Sequence, residues 1–333
     1  MVRKRVFITR QIPALAGEFL AQQGFEVEIW EGEGPMPYEQ LIERARHFDA
    51  LISLGADKIN EKLMESCPRL KIISQFAVGY DNIDVAAATR LGIPVGNTPD
   101  VLSEATADIA FGLLLAVSRK LFFHHKRIER GEWKYFEPTR HLGIELKGRK
   151  LGIFGMGRIG MVMARRCIGA YQMQVSYHNR TRNAAAEAEL GARYVSFDEL
   201  LHSSDVISVH CVLSPETRGI FDAAAFARMK PTAIFINTAR GAVHREADLI
   251  QALQHRTIWG AGLDVTDPEP MLATNPLLQM EHVAVLPHVG SATVEARTEM
   301  ARRAAENVIA FFQDGTVPYL VNPGVFPIKR SRL

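Results

Sequence analysis

Three polar residues, Arg240, Glu269 and His288, stand just past short apolar runs in the second half of the chain. Arg240 follows residues 234–239 (Ile-Phe-Ile-Asn-Thr-Ala), Glu269 lies beyond Gly262-Leu263-Asp264, and His288 follows Val285-Leu286-Pro287. Their side chains have complementary abilities. A guanidinium is always charged and can hold a carboxylate through two parallel hydrogen bonds. An imidazole can pass a proton to a carbonyl oxygen near neutral pH. A carboxylate beside that imidazole favours the protonated ring. Together the three suit reduction of a 2-keto acid, in which hydride reaches the keto carbon and a proton reaches its oxygen. Singly, each also has a plain reading as a surface arginine, a structural histidine or an exposed loop glutamate. Asp264 is open to two roles, a contact to cofactor polar groups or a structural cap.

Hydride chemistry needs a donor, and residues 150–160 offer a place for one. Leu151, Ile153 and Phe154 read as a short buried strand that ends in Gly155-x-Gly157-x-x-Gly160. Gly155 suits a tight turn, Gly157 a close approach of pyrophosphate, and Gly160 close packing of helix on strand. A helix is expected over 161–168, and its N-terminus, entered through Arg158 and Ile159, offers unpaired N–H groups to phosphates. A second strand over 174–178 completes the dinucleotide-binding pattern. In NAD-binding units an acidic residue about 20 positions past the glycines binds the ribose 2′-hydroxyl. Here that place reads His178-Asn179-Arg180-Thr181-Arg182, without a carboxylate. Arg180 and Thr181, supported by Asn179 and Arg182, therefore point to a 2′-phosphate and to NADPH in preference to NADH, with NAD still usable. A solvated basic turn is the other reading of the same residues.

The elements that must position these groups alternate strand and helix. Apolar runs at 5–9, 25–30, 50–54, 70–75 and 93–95 predict five strands, with helical patterns at 38–47 and 59–66 between them. Such alternation builds a parallel sheet covered on both faces. Residues 101–127 read as one long helix, and 131–149 as an irregular aromatic arm suited to meeting a second subunit. Strands at 174–178, 205–209, 233–237, 258–264 and 282–286 continue the sheet that the glycine turn opens. A last helix over 293–312 leads to an extended tail. The expected fold is α/β with two doubly wound parallel-sheet domains, a Rossmann dinucleotide domain and a smaller flavodoxin-like substrate domain. The substrate domain is discontinuous, 1–98 plus 290–333, and the dinucleotide domain covers 99–289.

Composition excludes several classes. The 333 residues are 47% apolar and 23% charged, which is globular rather than disordered. A net charge of +2 leaves no basic excess for nucleic acid or a membrane surface. No apolar stretch is long enough to cross a bilayer. Cys67, Cys167 and Cys211 stand apart without metal-binding spacing, so buried thiols in a reducing cytoplasm are expected and no metal.

The chain resembles the D-isomer-specific 2-hydroxyacid dehydrogenases along nearly its full length. The resemblance rests on residues 77–84 (Ala-Val-Gly-Tyr-Asp-Asn-Ile-Asp), 105–108 (Ala-Thr-Ala-Asp), 155–160, 237–241 (Asn-Thr-Ala-Arg-Gly), Asp264 with Glu269, and 287–293 (Pro-His-Val-Gly-Ser-Ala-Thr). Within the family it is most similar to glyoxylate/hydroxypyruvate reductases. The family's catalytic arginine, glutamate and histidine fall on Arg240, Glu269 and His288. The resemblance also implies that backbone N–H groups of Val78 and Gly79 hold the substrate carboxylate. It puts Thr106, with Ala239 and Gly290, beside the cofactor. It further implies a homodimer formed through the dinucleotide domains, in which Trp133 either reaches the partner's active site or anchors the interface. Val243-His244-Arg245 stands where the family often has an acidic pair, a departure expected to leave the chemistry untouched. Alternatives for the activity are 2-ketogluconate or another D-2-hydroxyacid as substrate, or a nucleotide-sensing corepressor on the same scaffold.

Overall fold

A computed structural model describes residues 3–325. The chain forms two compact units, one holding the described residues up to Leu102 and from Ala292 onward, the other Ser103–Ser291. The last eight residues of the expected tail lie outside the described range.

The first unit is built on five parallel strands: β1 (Arg5–Ile8), β2 (Glu26–Ile29), β3 (Ala50–Ser53), β4 (Ile72–Gln75) and β5 (Val95–Gly96). Their order, β2-β1-β3-β4-β5, is that of a flavodoxin-like sheet. Phe7 lies beside Leu51 in register, and both join Ile73, Val95, Leu41 and Leu63 in one core. The helix Val294–Asp314 returns to this sheet: the Ser74 hydroxyl donates to the Ala304 carbonyl at 2.9 Å, and the Asn307 amide to the Asn97 carbonyl at 3.0 Å. Its start is fixed by the Thr293 hydroxyl accepting from the Ala296 N–H, and Gly315 closes it in the left-handed region.

The second unit carries seven parallel strands: β6 (Lys150–Phe154), β7 (Gln174–His178), β8 (Arg193–Tyr194), β9 (Val206–Val209), β10 (Ile234–Asn237), β11 (Gly260–Leu263) and β12 (Val283–Val285). Their order is β12-β11-β10-β9-β6-β7-β8. The chain winds from β6 toward β8, then starts again at β9 on the other side of β6. The crevice at that reversal is where doubly wound sheets bind nucleotides. Register aligns the strand ends: Phe154 lies between His178 and Val209, and Leu263 between Asn237 and Val285. Residues just past these positions therefore share one edge.

The single helix expected over 101–127 is two, Ser103–Ser118 and Leu121–Glu129. The break has a tertiary cause. The Ser118 carbonyl accepts from the Ile144 N–H, and Lys120 takes a left-handed φ of 55°. The Lys120 ammonium then pairs with Glu281 at 2.6 Å and lies over the Trp259 ring. Cys67 and Cys167 are buried, whereas Cys211 is only half-buried; all three are free thiols.

Candidate active site

The glycine turn is shaped as a phosphate cradle. Gly155 has φ 100°, and a Cβ there would lie 2.5 Å from the Cys211 nitrogen. A Cβ on Gly160 would meet the Gly155 carbonyl at 2.7 Å, whereas Gly157 faces open space. The helix that follows, Arg158–Tyr171, has no side-chain cap at its N-terminus, so its first N–H groups are left for an anion. The Asn179 amide oxygen accepts from the Met156 N–H at 2.7 Å, and the Asn183 amide donates to the Met156 carbonyl at 2.9 Å. These bonds tie the glycine loop to the segment that follows β7. A dinucleotide pyrophosphate fits this cradle.

Two of the side chains expected near a 2′-phosphate have partners within the chain. The Asn179 amide braces the glycine loop, because the register of β6 and β7 puts it beside Met156. Arg182 pairs with Glu187 through two bonds, at 2.7 and 3.0 Å, and stacks over Tyr194. Arg180 and Thr181 remain exposed at the end of β7. Across the crevice, in the loop after β9, Glu216 accepts from the Ser214 hydroxyl. That hydrogen bond, the Glu216 backbone N–H and the Arg180 charge hold its carboxyl below the usual range.

At the other strand ends, Glu269 and His288 meet. Glu269 Oε1 lies 2.5 Å from His288 Nδ1, and both side chains are about half-exposed. Partial burial pushes the Glu269 carboxyl up, but the His288 hydrogen bond and charge, the Thr266 N–H and the Arg240 guanidinium together leave it below the ordinary value. The carboxylate therefore stays ionised at the imidazole. With Nδ1 facing Glu269, the His288 Nε2 is the nitrogen left for a substrate.

His288 sits in the left-handed region at φ 55°, a conformation costing a non-glycine residue about 1–2 kcal/mol. Asp264 enforces it. The Asp264 carbonyl accepts from the His288 N–H at 2.9 Å, and its carboxylate accepts from the Val289 and Gly290 N–H groups at 2.8 Å each. Burial pushes this carboxyl up despite those bonds. Of the two roles open to Asp264, the geometry provides the cap. Thr106 donates to the Gly290 carbonyl at 3.1 Å, so both residues belong to the frame of the His288 turn.

Arg240 follows β10 and is half-buried, with one guanidinium nitrogen 2.8 Å from the Ala239 carbonyl. The next residue must be glycine, because a Cβ on Gly241 would fall 2.0 Å from the Thr266 carbonyl. That contact lays the Arg240 loop directly on the loop leading to Glu269. In the first unit, Val78 and Gly79 follow β4 in a half-buried loop, where the Asn97 amide donates to the Val78 carbonyl at 2.9 Å.

His244 is the residue whose placement sequence reasoning missed. It is 2% exposed, and its Nδ1 lies 3.1 Å from the Asn237 amide nitrogen. Burial pushes the imidazole down to about 4. The unfolded chain takes up a proton near pH 6.5 that the folded chain refuses, so folded stability falls as pH drops from about 6.5 toward 4. The expected loss is about 1.4 kcal/mol per pH unit, roughly 2 kcal/mol by pH 5. Urea unfolding of wild type and His244→Leu at pH 7 and 5 isolates it from the loss contributed by His210, whose imidazole burial pushes down to about 3. His244→Leu should flatten the slope by about one proton; an unchanged slope would assign the uptake to other groups.

Residues 111–290 match the NAD-binding domain of the D-isomer specific 2-hydroxyacid dehydrogenases. A glyoxylate reductase of Thermococcus litoralis is 47% identical over 97% of this chain and 98% of its own length. Another from Aeropyrum pernix is 44% identical over 99% of both chains. Among solved structures, an NADPH-dependent glyoxylate/hydroxypyruvate reductase of Sinorhizobium meliloti, in complex with NADP and malonate, superposes with a TM-score of 0.85 at 33% identity, covering 99% of both chains. A sheet wound about a phosphate cradle, with imidazole, carboxylate and guanidinium at its carboxyl edge, defines a nicotinamide-dependent oxidoreductase. The chain belongs to the D-isomer specific 2-hydroxyacid dehydrogenase family. Among the described residues no helix is long and apolar enough to cross a membrane, and no group of three or more His, Cys, Asp or Glu could hold a metal ion.

Proposed function

We propose that this chain reduces small 2-keto acids, glyoxylate and hydroxypyruvate first, to the 2-hydroxy acids with NADPH. The observation that carries the reading is the 2.5 Å contact of an ionised Glu269 with His288 Nδ1, which leaves Nε2 to protonate a carbonyl oxygen. The bound dinucleotide supplies the hydride. Arg240 holds the substrate carboxylate and, beside Glu269, orients the keto group toward His288. Val78 and Gly79 offer backbone N–H groups to that carboxylate. Gly155, Gly157, Arg158, Ile159 and Gly160 hold the pyrophosphate, and Thr106, Ala239 and Gly290 line the nicotinamide end. The relatives named glyoxylate reductase support the choice of substrate. A panel of keto acids assayed with NADPH and NADH in parallel tests it. Turnover of 2-ketogluconate or an aryl-pyruvate well above that of glyoxylate would move the assignment elsewhere in the family.

The cofactor preference rests on Arg180. Its guanidinium is exposed at the end of β7, and no carboxylate stands on the segment 178–182. Charge-assisted bonds to a phosphate contribute about 1.5–3 kcal/mol, so Arg180→Asp should lower kcat/KM for NADPH by about 10–100-fold and leave NADH nearly unchanged. An unchanged NADPH-to-NADH ratio would refute the preference.

Two copies of the chain are part of this reading, as is a reducing cytoplasm, supported by three free thiols. The arm and the helix before it support the pairing: Leu121, Ile128, Trp133, Tyr135, Phe136 and Leu142 are all at least half exposed. Trp133 anchors that interface or extends into the partner's site.

A further inference from the structure

The turn from Asn237 to Arg240 is clamped on both sides by the Asn237 amide, while the Arg240 carbonyl also accepts from the Val243 N–H at 3.2 Å and the Thr238 hydroxyl lies 3.4 Å from His210 Nδ1. Asn237 Oδ1 accepts from the Ala239 N–H at 2.9 Å, and its Nδ2 donates to the Arg240 carbonyl at 2.8 Å. Two backbone bonds of opposite sense fix which end of the amide is oxygen. The second hydrogen of Nδ2 points at His244 Nδ1, 3.1 Å away. That ring nitrogen can only accept, so the ring proton sits on Nε2. Nε2 is buried and has no partner among the described residues. The Phe235 ring lies against the imidazole at 5.7 Å.

A buried ring with an unsatisfied N–H costs more here than leucine or valine would. The acceptor at Nδ1 is the one thing the imidazole offers that an aliphatic side chain lacks. It completes the Asn237 amide, and that amide clamps both sides of the turn from which Arg240 projects. Downstream, the backbone of 241–245 is tied to the loop before it, by Gly219 N–H to the Ala242 carbonyl and Arg245 N–H to the Phe221 carbonyl. The far end of the segment is thus fixed independently, and at the near end the His244–Asn237 bond orients the amide that clamps Ala239 and Arg240.

We infer that His244 is a positioning residue for substrate: through Asn237 it sets the turn that aims Arg240 at the keto-acid carboxylate. The inference rests on the proposed reductase reading for what Arg240 binds. It predicts a larger effect on substrate affinity than on dinucleotide affinity, because the clamp also holds Ala239 while the pyrophosphate cradle lies on another strand.

The test pairs His244→Leu, which removes the acceptor, with His244→Asn, whose side-chain oxygen can stand near the place of Nδ1. In steady-state assays with NADPH, His244→Leu should raise KM for glyoxylate about tenfold and change both kcat and KM for NADPH less than about threefold. His244→Asn should return KM to within about threefold of wild type. A wild-type KM in the leucine variant overturns the inference, as does a rise that asparagine leaves uncorrected in a protein that still binds NADPH. A second measurement needs no turnover. Oxalate affinity of the NADP-loaded protein is compared in wild type, His244→Leu, Arg240→Ala and the double variant. If His244 acts through Arg240, its substitution has no further effect once Arg240 is gone. An additive loss, or a wild type that holds no oxalate, overturns it. A wild type that binds oxalate yet reduces no keto acid refutes the reductase reading alone.

Discussion

His288→Asn should lower kcat for glyoxylate reduction by about 10²–10⁴-fold, the contribution of a positioned general acid. The substitution removes the ring nitrogen that Glu269 leaves unengaged, while Asp264 still caps the turn through backbone bonds to residues 288–290. Dinucleotide binding, followed by quenching of protein fluorescence, should therefore stay within about twofold, since the phosphate cradle lies at the end of a different strand. Glu269→Gln keeps an oxygen near His288 Nδ1 but removes the charge, so its loss in kcat should be smaller than that of His288→Asn. A His288→Asn enzyme within tenfold of wild type would mean that solvent delivers the proton. The same result would reduce the Glu269–His288 contact to a structural one.

How much of this could be read from the chain depends on where the deciding partner lies. Strands such as Ile234–Asn237 are legible because both faces are buried, and a buried parallel strand must be a short continuous apolar run. The glycine turn is legible because each glycine answers a local contact, Gly160 against Gly155 five residues earlier. Arg240, Glu269 and His288 could be picked out because strand ends are where ligands bind, and the observed register brings Asn237, Leu263 and Val285 into one row. The break in the helix after Ser118 could not be seen locally. Its partner Glu281 is 161 residues from Lys120, and nothing in the helical pattern records that pairing. The bracing role of Asn179 is hidden for the same reason, because its amide is held by Met156 on the neighbouring loop. His244 looked like a departure in a loop. Its burial against the Phe235 ring, with its backbone bridged to Phe221, follows from tertiary packing that residue spacing cannot express.

Arg240→Ala should lower kcat/KM for glyoxylate by about 10²–10⁴-fold, because two charge-assisted hydrogen bonds to a carboxylate contribute about 1.5–3 kcal/mol each. Most of the loss should fall on KM, with a further part on kcat from a keto group no longer aimed at His288. Arg240→Lys should recover only a fraction, since an ammonium is a point charge and cannot match the carboxylate fork. The discriminating comparison is an uncharged aldehyde such as glycolaldehyde, which offers the same carbonyl without the carboxylate. Wild type should strongly favour glyoxylate over it, and Arg240→Ala should erase most of that preference by losing glyoxylate alone. If both substrates lose rate equally, Arg240 acts on the carbonyl or on the protein frame. The Gly241 contact with Thr266 makes the second outcome a real one to separate, because it ties the arginine loop to the chain leading to Glu269. Thermal unfolding separates them: an alanine that removes only a substrate contact leaves Tm unchanged, whereas one that loosens the frame lowers Tm and slows the aldehyde as well.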